Sequence, residues 1–418
     1  MRVYGPIHLE NSWHLRHSIL TYFLKGFMKP RIWILLSLFL LFLIFINFFS
    51  LWNLHHFYAL SIGGLIFLLF INNALLIFLN PYFQKKPSTA LTRVIRAFLN
   101  PLWVHWTFFS FFYSLTLLIF SIFFKCVPWF HAEDLKWVSS FFISGWVVLL
   151  GWGIYTALVP LHLSRFNIVL PRLPASFNGF KIAIGSDFHI GLFSRTQRLT
   201  QIFETMAAYQ PDLVVLLGDL TDDDAFYIPK LLKGIEVLDP HLPILGILGN
   251  HDIYGDPHSA IQQLAHSRVH LLINEGFEFK KNAESIWIAG ISDYAATYFE
   301  KLRPHLVPDF NRTLAHKPPS SPTILLAHQP KAFHESIKRH IELTLCGHTH
   351  GGQLGFPFLN WTIVKPFITW DRGLFQNQGS QLLVTSGVGY WGAPFRLGLQ
   401  PELVFLNLQF PLESHAHV

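Results

Sequence analysis

Charge is what this chain lacks most. Asp, Glu, Lys and Arg together supply 13% of its 418 residues, about half the roughly 25% of an ordinary globular domain. None of the four occurs between Arg31 and Lys85, between Arg96 and Lys125, or between Lys136 and Arg165. Cysteine is almost as scarce. Cys126 and Cys346 are the whole complement, far apart and each inside an apolar run, which excludes a disulfide framework and accommodates a reducing compartment. The C-terminal half has no dense Lys/Arg stripe interleaved with aromatics, which argues against nucleic acid as a partner. The formal charge of +6 sits largely on bases that flank apolar runs, where membrane-flanking charge accounts for it. No internal repeat and no long low-complexity linker interrupts the chain.

Hydrophobic residues fill the space that charge leaves, at 51% of the chain with 42 Phe. A helix needs about 20 apolar residues to span a bilayer. The first charge-free stretch is long enough for two, roughly 32–51 and 57–79, hinged at Asn53-Leu54-His55-His56, and the other two give one each, roughly 103–125 and 138–161. A charge at mid-membrane costs about 2.5–3.5 kcal/mol, and these runs lack the polar face a buried core helix would show. The sequence therefore predicts a four-helix transmembrane module over 1–164. A cleavable signal peptide does not fit, because the basic lead-in is long, the apolar region exceeds the usual ~7–15 residues, and more spans follow. Arg2, Arg16, Lys25, Lys29 and Arg31 precede the first span, and Lys85, Lys86, Arg93 and Arg96 lie between the second and third. The excess of bases predicts that both segments are cytoplasmic. After an even number of spans the remainder, 165–418, returns to that side.

From about Arg165 charges return and apolar runs shorten to strand length. Strands are expected at 180–185, 212–217, 243–248, 286–290, 323–327, 342–346, 381–385 and 402–408, with helices at about 196–208, 226–237 and from 258. This alternation, followed by mostly strands, predicts an α/β domain with layered sheets. Polar groups recur at the C-terminal ends of the strands, where open α/β sheets place their ligands. They are Ser186-Asp187-Phe188-His189, Gly218-Asp219-Leu220, Gly249-Asn250-His251-Asp252, Ala327-His328-Gln329-Pro330 and Gly347-His348-Thr349-His350-Gly351-Gly352. Each is an apolar strand ending in a metal-ligating residue type. A mix of carboxylate oxygen and imidazole nitrogen suits Mn, Fe or Zn better than Ca or Mg, which prefer oxygen throughout.

The order D-x-H, G-D, G-N-H-D, H-Q-P, G-H-T-H resembles the calcineurin-like metallophosphoesterases, over about 165–418 and with all five blocks present. The resemblance implies an α/β/β/α sandwich and a centre for two divalent ions, Mn first, with Fe or Zn as alternatives. Carried over by position, Asp187, His189 and His350 would hold one ion, Asn250, His328 and His348 the other, and Asp219 would bridge them. Two cations about 3.5–4 Å apart polarise a phosphoryl oxygen and activate water, and an anion between them relieves their repulsion. His251 would contact the phosphate or protonate the leaving oxygen, with Asp252 orienting it.

Other residues carry weaker expectations. Asp222, Asp223 and Asp224 read as a solvated loop or helix cap, and Asp293 as a turn residue or a neighbour of the ligands. Arg372 and Arg396 could serve a phosphate or a structural ion pair. The segment from Phe356 to Trp370 is rich in apolar and aromatic residues and would either meet lipid or fill a core. The Gly-His-Thr-His-Gly-Gly-Gln block and Thr385-Ser386-Gly387-Val388-Gly389 resemble a membrane-associated phosphodiesterase branch that includes UDP-2,3-diacylglucosamine pyrophosphatases of lipid A assembly. That resemblance implies an inner (cytoplasmic) membrane enzyme with a UDP-linked diacyl sugar as its lipid partner. Another membrane lipid or an isoprenoid pyrophosphate is the competing substrate, and a non-catalytic membrane scaffold the competing class.

Overall fold

A computed structural model describes residues 90–126, 133–158 and 161–411, with isolated positions between 46 and 56. The spans expected at 32–51 and 57–79 fall outside the described residues apart from those few positions. Two described helices contain stretches long and apolar enough to cross a membrane, His105–Phe123 and Asp134–Leu158. The first lies inside α1 (Ala90–Cys126) and the second is α2. Both reach further toward the N-terminus than the charge-free runs that predicted them. Arg93, Arg96, Asp134 and Lys136 are tolerated in a helix once it has left the apolar layer, so a charge criterion marks the span and misses the helix end.

The chain divides into two compact units, Met1–Phe78 with His105–Ile143, and Leu79–Val104 with Ser144–Val418. Within the first, small hydroxyls join the helices. The Tyr113 hydroxyl and Ser139 Oγ are 2.7 Å apart, and Ser50 Oγ donates to the Ser110 carbonyl at 2.9 Å. Such bonds pair polar groups that apolar surroundings would leave unsatisfied.

The second unit is built on two six-stranded sheets. The first sheet contains β1 (His162–Val169), β2 (Lys181–Gly185), β3 (Leu213–Leu217), β4 (Ile244–Ile247), β5 (Val269–Leu271) and the last strand, β14 (Glu402–Gln409). Its order is β1-β14-β2-β3-β4-β5, parallel except where β14 meets β2. The second contains β6 (Glu275–Lys281), β7 (Glu284–Gly290), β8 (Thr323–Leu326), β9 (Leu343–Cys346), β12 (Gly373–Asn377) and β13 (Ser380–Val384), in the order β12-β13-β9-β8-β7-β6. A two-stranded hairpin, β10 (Gly355–Phe356) and β11 (Trp361–Thr362), stands apart from both.

Alternation along the strands sorts side chains into layers. Ile182, Ile184, Val215, Leu217, Leu245 and Ile247 of the first sheet share one buried cluster with Ile286, Ile288, Ile324, Leu326, Leu343 and Leu345 of the second. The opposite face of the first sheet, with Ala183, Val214 and Leu216, is covered by α3 (Thr196–Ala208), α4 (Ile228–Ile235) and α6 (Pro257–Ala265) through Phe203, Met206, Leu231 and Leu264. Phe310 and Phe333 cover the outer face of the second sheet. These are the helix, sheet, sheet and helix layers of an α/β/β/α sandwich.

Helix α3 spans 196–208, as its sequence pattern predicts, and the eight expected strands form within a residue or two of their expected bounds. Strands β1, β5, β6 and β12 of the sheets and the β10–β11 hairpin were not foreseen. β1 starts at His162, just past the span expected at 138–161 and inside the 1–164 segment assigned to the membrane module, because it carries no charge before Arg165. β6 (Glu-Gly-Phe-Glu-Phe-Lys-Lys) is an edge strand whose half-exposed, charged side chains hide its pattern.

Two contacts inside this unit join it to the apolar helices. Arg93 of α1 donates from Nε to Asp224 Oδ2 at 2.7 Å and lies 4.0 Å over the Phe226 ring. In α2, Gly153 approaches the Phe395 ring so closely that a Cβ would sit 2.2 Å from it, and its carbonyl accepts from the Arg396 backbone N–H at 3.0 Å.

Leu326 lies fully buried between the sheets. Leu326→Ala should cost about 2–5 kcal/mol, measured by urea unfolding of the detergent-solubilised chain followed by near-UV circular dichroism.

Candidate metal centre

The five polar blocks do follow strands β2, β3, β4, β8 and β9, and the sandwich brings their strand ends together. Asp187 and His189 come from the β2 end, Asp219 from β3 and Asn250 from the first turn of α5 (Asn250–Tyr254) after β4. His328 follows β8, and His348 and His350 follow β9. All of them except half-buried His348 are buried. Five of these seven hold positive φ, namely Asp187 (55°), His189 (43°), Asp219 (47°), His348 (72°) and His350 (51°). Left-handed backbone is uncommon for residues other than glycine and persists only where surrounding structure imposes it. Here it turns each chain sharply at the strand end, so that successive polar side chains face one point. Glycines allow the close approach: a Cβ at Gly249 would lie 2.2 Å from Asp219 Oδ1, and one at Gly347 2.2 Å from Asp187 Oδ2.

Among the described residues donor atoms group in three sets whose members lie within 4.8 Å of one another: Asp187–His189–His350, Asp219–His328–His348, and a less buried one, His189–Asp222–His251. His350 Nε2 is 3.3 Å from Asp187 Oδ1 and 2.9 Å from His189 Nε2. His328 Nε2 is 3.0 Å from Asp219 Oδ2 and 3.1 Å from Asn250 Oδ1, and the latter oxygen is 2.7 Å from His348 Nδ1. Asp219 also reaches the first set, with Oδ2 3.5 Å from His189 Nε2.

Protonation follows from burial and charge. Burial pushes His189 and His348 down to about 3 and His350 well below its ordinary value, so all three offer lone pairs at neutral pH. Burial raises Asp187 to about 6. Burial opposes ionisation of Asp219, but neighbouring His328 and His251 outweigh it and hold the carboxylate well below its usual range. His328 is the reciprocal case: burial disfavours its charge, and Asp219 nevertheless holds it well above.

The residues fit two cations on observations of this structure. His189 and His350, both neutral, bring their Nε2 atoms within 2.9 Å of each other beside the Asp187 carboxylate, a mixed nitrogen and oxygen donor set that suits a transition-metal cation. His189 Nδ1 is buried with no hydrogen-bond partner among the described residues. His328 Nδ1 lies 2.7 Å from the Leu217 carbonyl, which fixes the tautomer and leaves Nε2 for a metal.

Next to this cluster, His251 Nδ1 is 2.7 Å from Asp223 Oδ1, and its backbone N–H donates to Asp219 Oδ1 at 2.8 Å. Burial works against its charge, yet Asp219, Asp223 and Asp222 raise it to about 9. Asp223 therefore holds the position expected of Asp252. Asp252 accepts from the backbone N–H groups of Leu220, Thr221 and Gly249, so it braces the two ligand turns and leaves His251 to its neighbour. Asp224 is the cap that the acidic run suggests, accepting from the Phe226 N–H. Asp293 is a turn residue that also accepts from Gln329 Nε2 at 2.8 Å.

Arg396 is neither an exposed phosphate contact nor an ion pair. It is completely buried, donating from Nη2 to the carbonyls of Ser386 and Gly389 at 2.7 and 2.6 Å and to His350 Nδ1 at 3.0 Å. Sequence reasoning did not foresee this contact, and it read Asp223 only as part of a solvated acidic loop or cap, where the structure sets it against His251. The only available signal for Asp223 was its place four residues beyond Asp219.

Comparison with known proteins places this centre. Residues 180–352 match the family described as calcineurin-like phosphoesterase. A metallophosphoesterase of Helicobacter pylori is 30% identical over 308 residues, covering 72% of this chain and 79% of that protein. A transmembrane protein with a metallophosphoesterase domain from Danio rerio is 30% identical over 270 residues, covering 63% of this chain and 60% of that protein. The chain belongs to the calcineurin-like metallophosphoesterase superfamily. It is a metal-dependent phosphoester hydrolase.

Two outcomes follow. Metal-free His328 is protonated at neutral pH and must lose that proton to ligate, so binding of Mn2+ should release protons and tighten as pH rises. Isothermal titration calorimetry in two buffers of different ionisation enthalpy reads both effects. If His251 acts as an acid, activity is lost as pH rises through its pKa. Asp223→Asn removes a carboxylate that raises that pKa, and the alkaline limb of the kcat profile should move to lower pH.

Proposed function

We propose that this chain hydrolyses the pyrophosphate of UDP-2,3-diacylglucosamine at the cytoplasmic face of the inner membrane, giving UMP and 2,3-diacylglucosamine 1-phosphate for lipid A assembly. A lipid substrate is carried chiefly by one observation: Arg396 holds a donor of the cluster and an apolar helix at once. Its guanidinium donates to His350 and its backbone N–H to Gly153 of α2. Arg93 of α1 likewise pairs with Asp224, next to the Asp223 that faces His251. A centre tied on two sides to membrane-length helices suits a phosphate that stays near a bilayer while its acyl chains remain inside. The multi-pass topology and cytoplasmic orientation rest on the Lys/Arg bias described above. The choice of a UDP-linked diacyl sugar rests on the motif resemblance.

In this reading Asp187, His189 and His350 would hold one ion and Asn250, His328 and His348 the other, with Asp219 near enough to serve both. Bound divalent ions polarise the phosphoryl group and acidify water at neutral pH; Mn suits the mixed oxygen and nitrogen donors, with Fe or Zn as alternatives. The chain's own groups do the rest. Asn250 contributes a neutral oxygen, which keeps the centre positive enough for a diphosphate. His251, charged and held by Asp223, lies where it can donate its proton to the departing oxygen, a role worth about 10²–10⁴-fold in rate. Asp252 fixes the two turns from which Asp219 and Asn250 project.

Full-length chain reconstituted with Mn2+ should release UMP from UDP-2,3-diacylglucosamine. His251→Asn should lower kcat by about 10²–10⁴-fold with unchanged metal content by atomic emission. Robust cleavage of bis-p-nitrophenyl phosphate beside no UMP would sink the named substrate, and turnover of another lipid phosphoester would replace it.

A further inference from the structure

Immediately after the His348-Thr349-His350 turn the chain forms the β10–β11 hairpin and a following turn, and this element faces two ways. Its inner side is fixed to the metal centre. Thr362 is buried and donates to Asp371 Oδ2 at 2.8 Å, while Thr349 donates to the Asp371 carbonyl. Ile363 and Val364 pack against Gly352, two residues past His350. Its outer side is apolar and bare. Phe358, Leu359 and Phe367 are 81%, 64% and 87% exposed, and Phe356 stacks on Trp361 with centroids 5.8 Å apart. The core-filling role weighed for this segment does not hold for these side chains. Soluble proteins seldom leave large aromatic side chains clustered and bare.

The same unit indicates what covers them. Gln353 and Trp391 exchange two hydrogen bonds, Trp391 N–H to Gln353 Oε1 at 2.7 Å and Gln353 Nε2 to the Trp391 carbonyl at 3.0 Å. The backbone continues this pairing, Leu397 N–H donating to the Gln353 carbonyl at 2.7 Å and Gly355 N–H to the Leu397 carbonyl at 2.9 Å. The strip so formed, 391–397, is the one that seats Phe395 and Arg396 on α2 at Gly153. Helix α2 there presents Val148 and Trp152, 69% and 58% exposed, to its surroundings. The hairpin is thus continuous, through one hydrogen-bonded strip, with a helix of membrane length. Trp391, 56% exposed, also reaches the site, its ring 6.2 Å from that of His251. Lys365 stands exposed at the base of the apolar turn, suited to lipid phosphates while the rings enter the acyl boundary.

We infer that the 356–367 element is a bilayer-inserted hairpin, with Phe358, Leu359 and Phe367 among the acyl chains and Trp361 and Trp391 at headgroup level between lipid and metal centre. This rests on the membrane reading above, and it assigns the lipid surface itself as the occupant of the patch. It also sets the direction of substrate entry, from the leaflet along Trp391 toward His251.

Depth measurement tests it. Phe358→Cys and Phe367→Cys are each made in a Cys126→Ser background, with Cys346 buried, spin-labelled, and reconstituted as full chain into phosphatidylethanolamine–phosphatidylglycerol vesicles. Lys280→Cys on β6 is the water-exposed reference. Power saturation should show the labels at 358 and 367 relaxed more by oxygen than by a nickel chelate, and the label at 280 the reverse. Labels at 358 and 367 that match 280, or that neither agent reaches because protein covers them, overturn the inference while leaving the lipid-hydrolase reading intact. A chain that fails to float with the vesicles sinks the membrane reading and this inference together.

Discussion

Two buried carboxylates and four largely buried imidazoles cannot share one small volume without a compensating positive charge. Every nearby feature of the sandwich serves that requirement. Left-handed backbone at five donors stores strain that an ordinary strand end would avoid. Gly249 is stripped of a side chain so that Asp219 can approach. Asp252 accepts from three backbone N–H groups of the ligand turns and from the Thr221 hydroxyl. Without cations, Asp219 and His328 form a buried ion pair of the kind whose desolvation offsets much of its attraction. The fold holds a site that is complete only when loaded.

Most of that site was legible in the sequence because each donor sits where an apolar run stops. A strand end is a sharp event in composition, and five in a fixed order leave little room for coincidence. The groups that tune the donors were not legible. Asp223 belongs to a run of three acids, and only the fold shows that Asp224 caps a short turn, Asp223 meets His251, and Asp222 stands 3.9 and 4.0 Å from the rings of His189 and His251. Arg396 is separated from His350 by forty-six residues, a distance over which spacing carries no information. The fold was legible to the same degree: fully buried strands announce themselves, whereas β6 and β12 at the edges of the second sheet mix charge and polarity because one side meets water.

The apolar helices and the catalytic sandwich make sense as one device. A phosphoester hydrolase needs only the strand ends and the donors. In this chain Asp224, which follows the Asp223 that meets His251, and Arg396, which donates to His350, also hold α1 and α2. Such shared residues would let bilayer position and site geometry be set together.

The placement of β14 bears on synthesis. β1 leaves α2 almost at once, yet its one sheet neighbour is β14, whose pairing runs from Glu402 to Gln409. At about 5–20 residues per second, on the order of ten to fifty seconds of translation separate the two strands. Through that interval a helix of membrane length is already made while the strand beside it has an open edge and the first sheet is unsealed. The ribosome must therefore translate through β14 before the first sheet can close, and nascent chains stalled before β14 are the ones most exposed to misassembly.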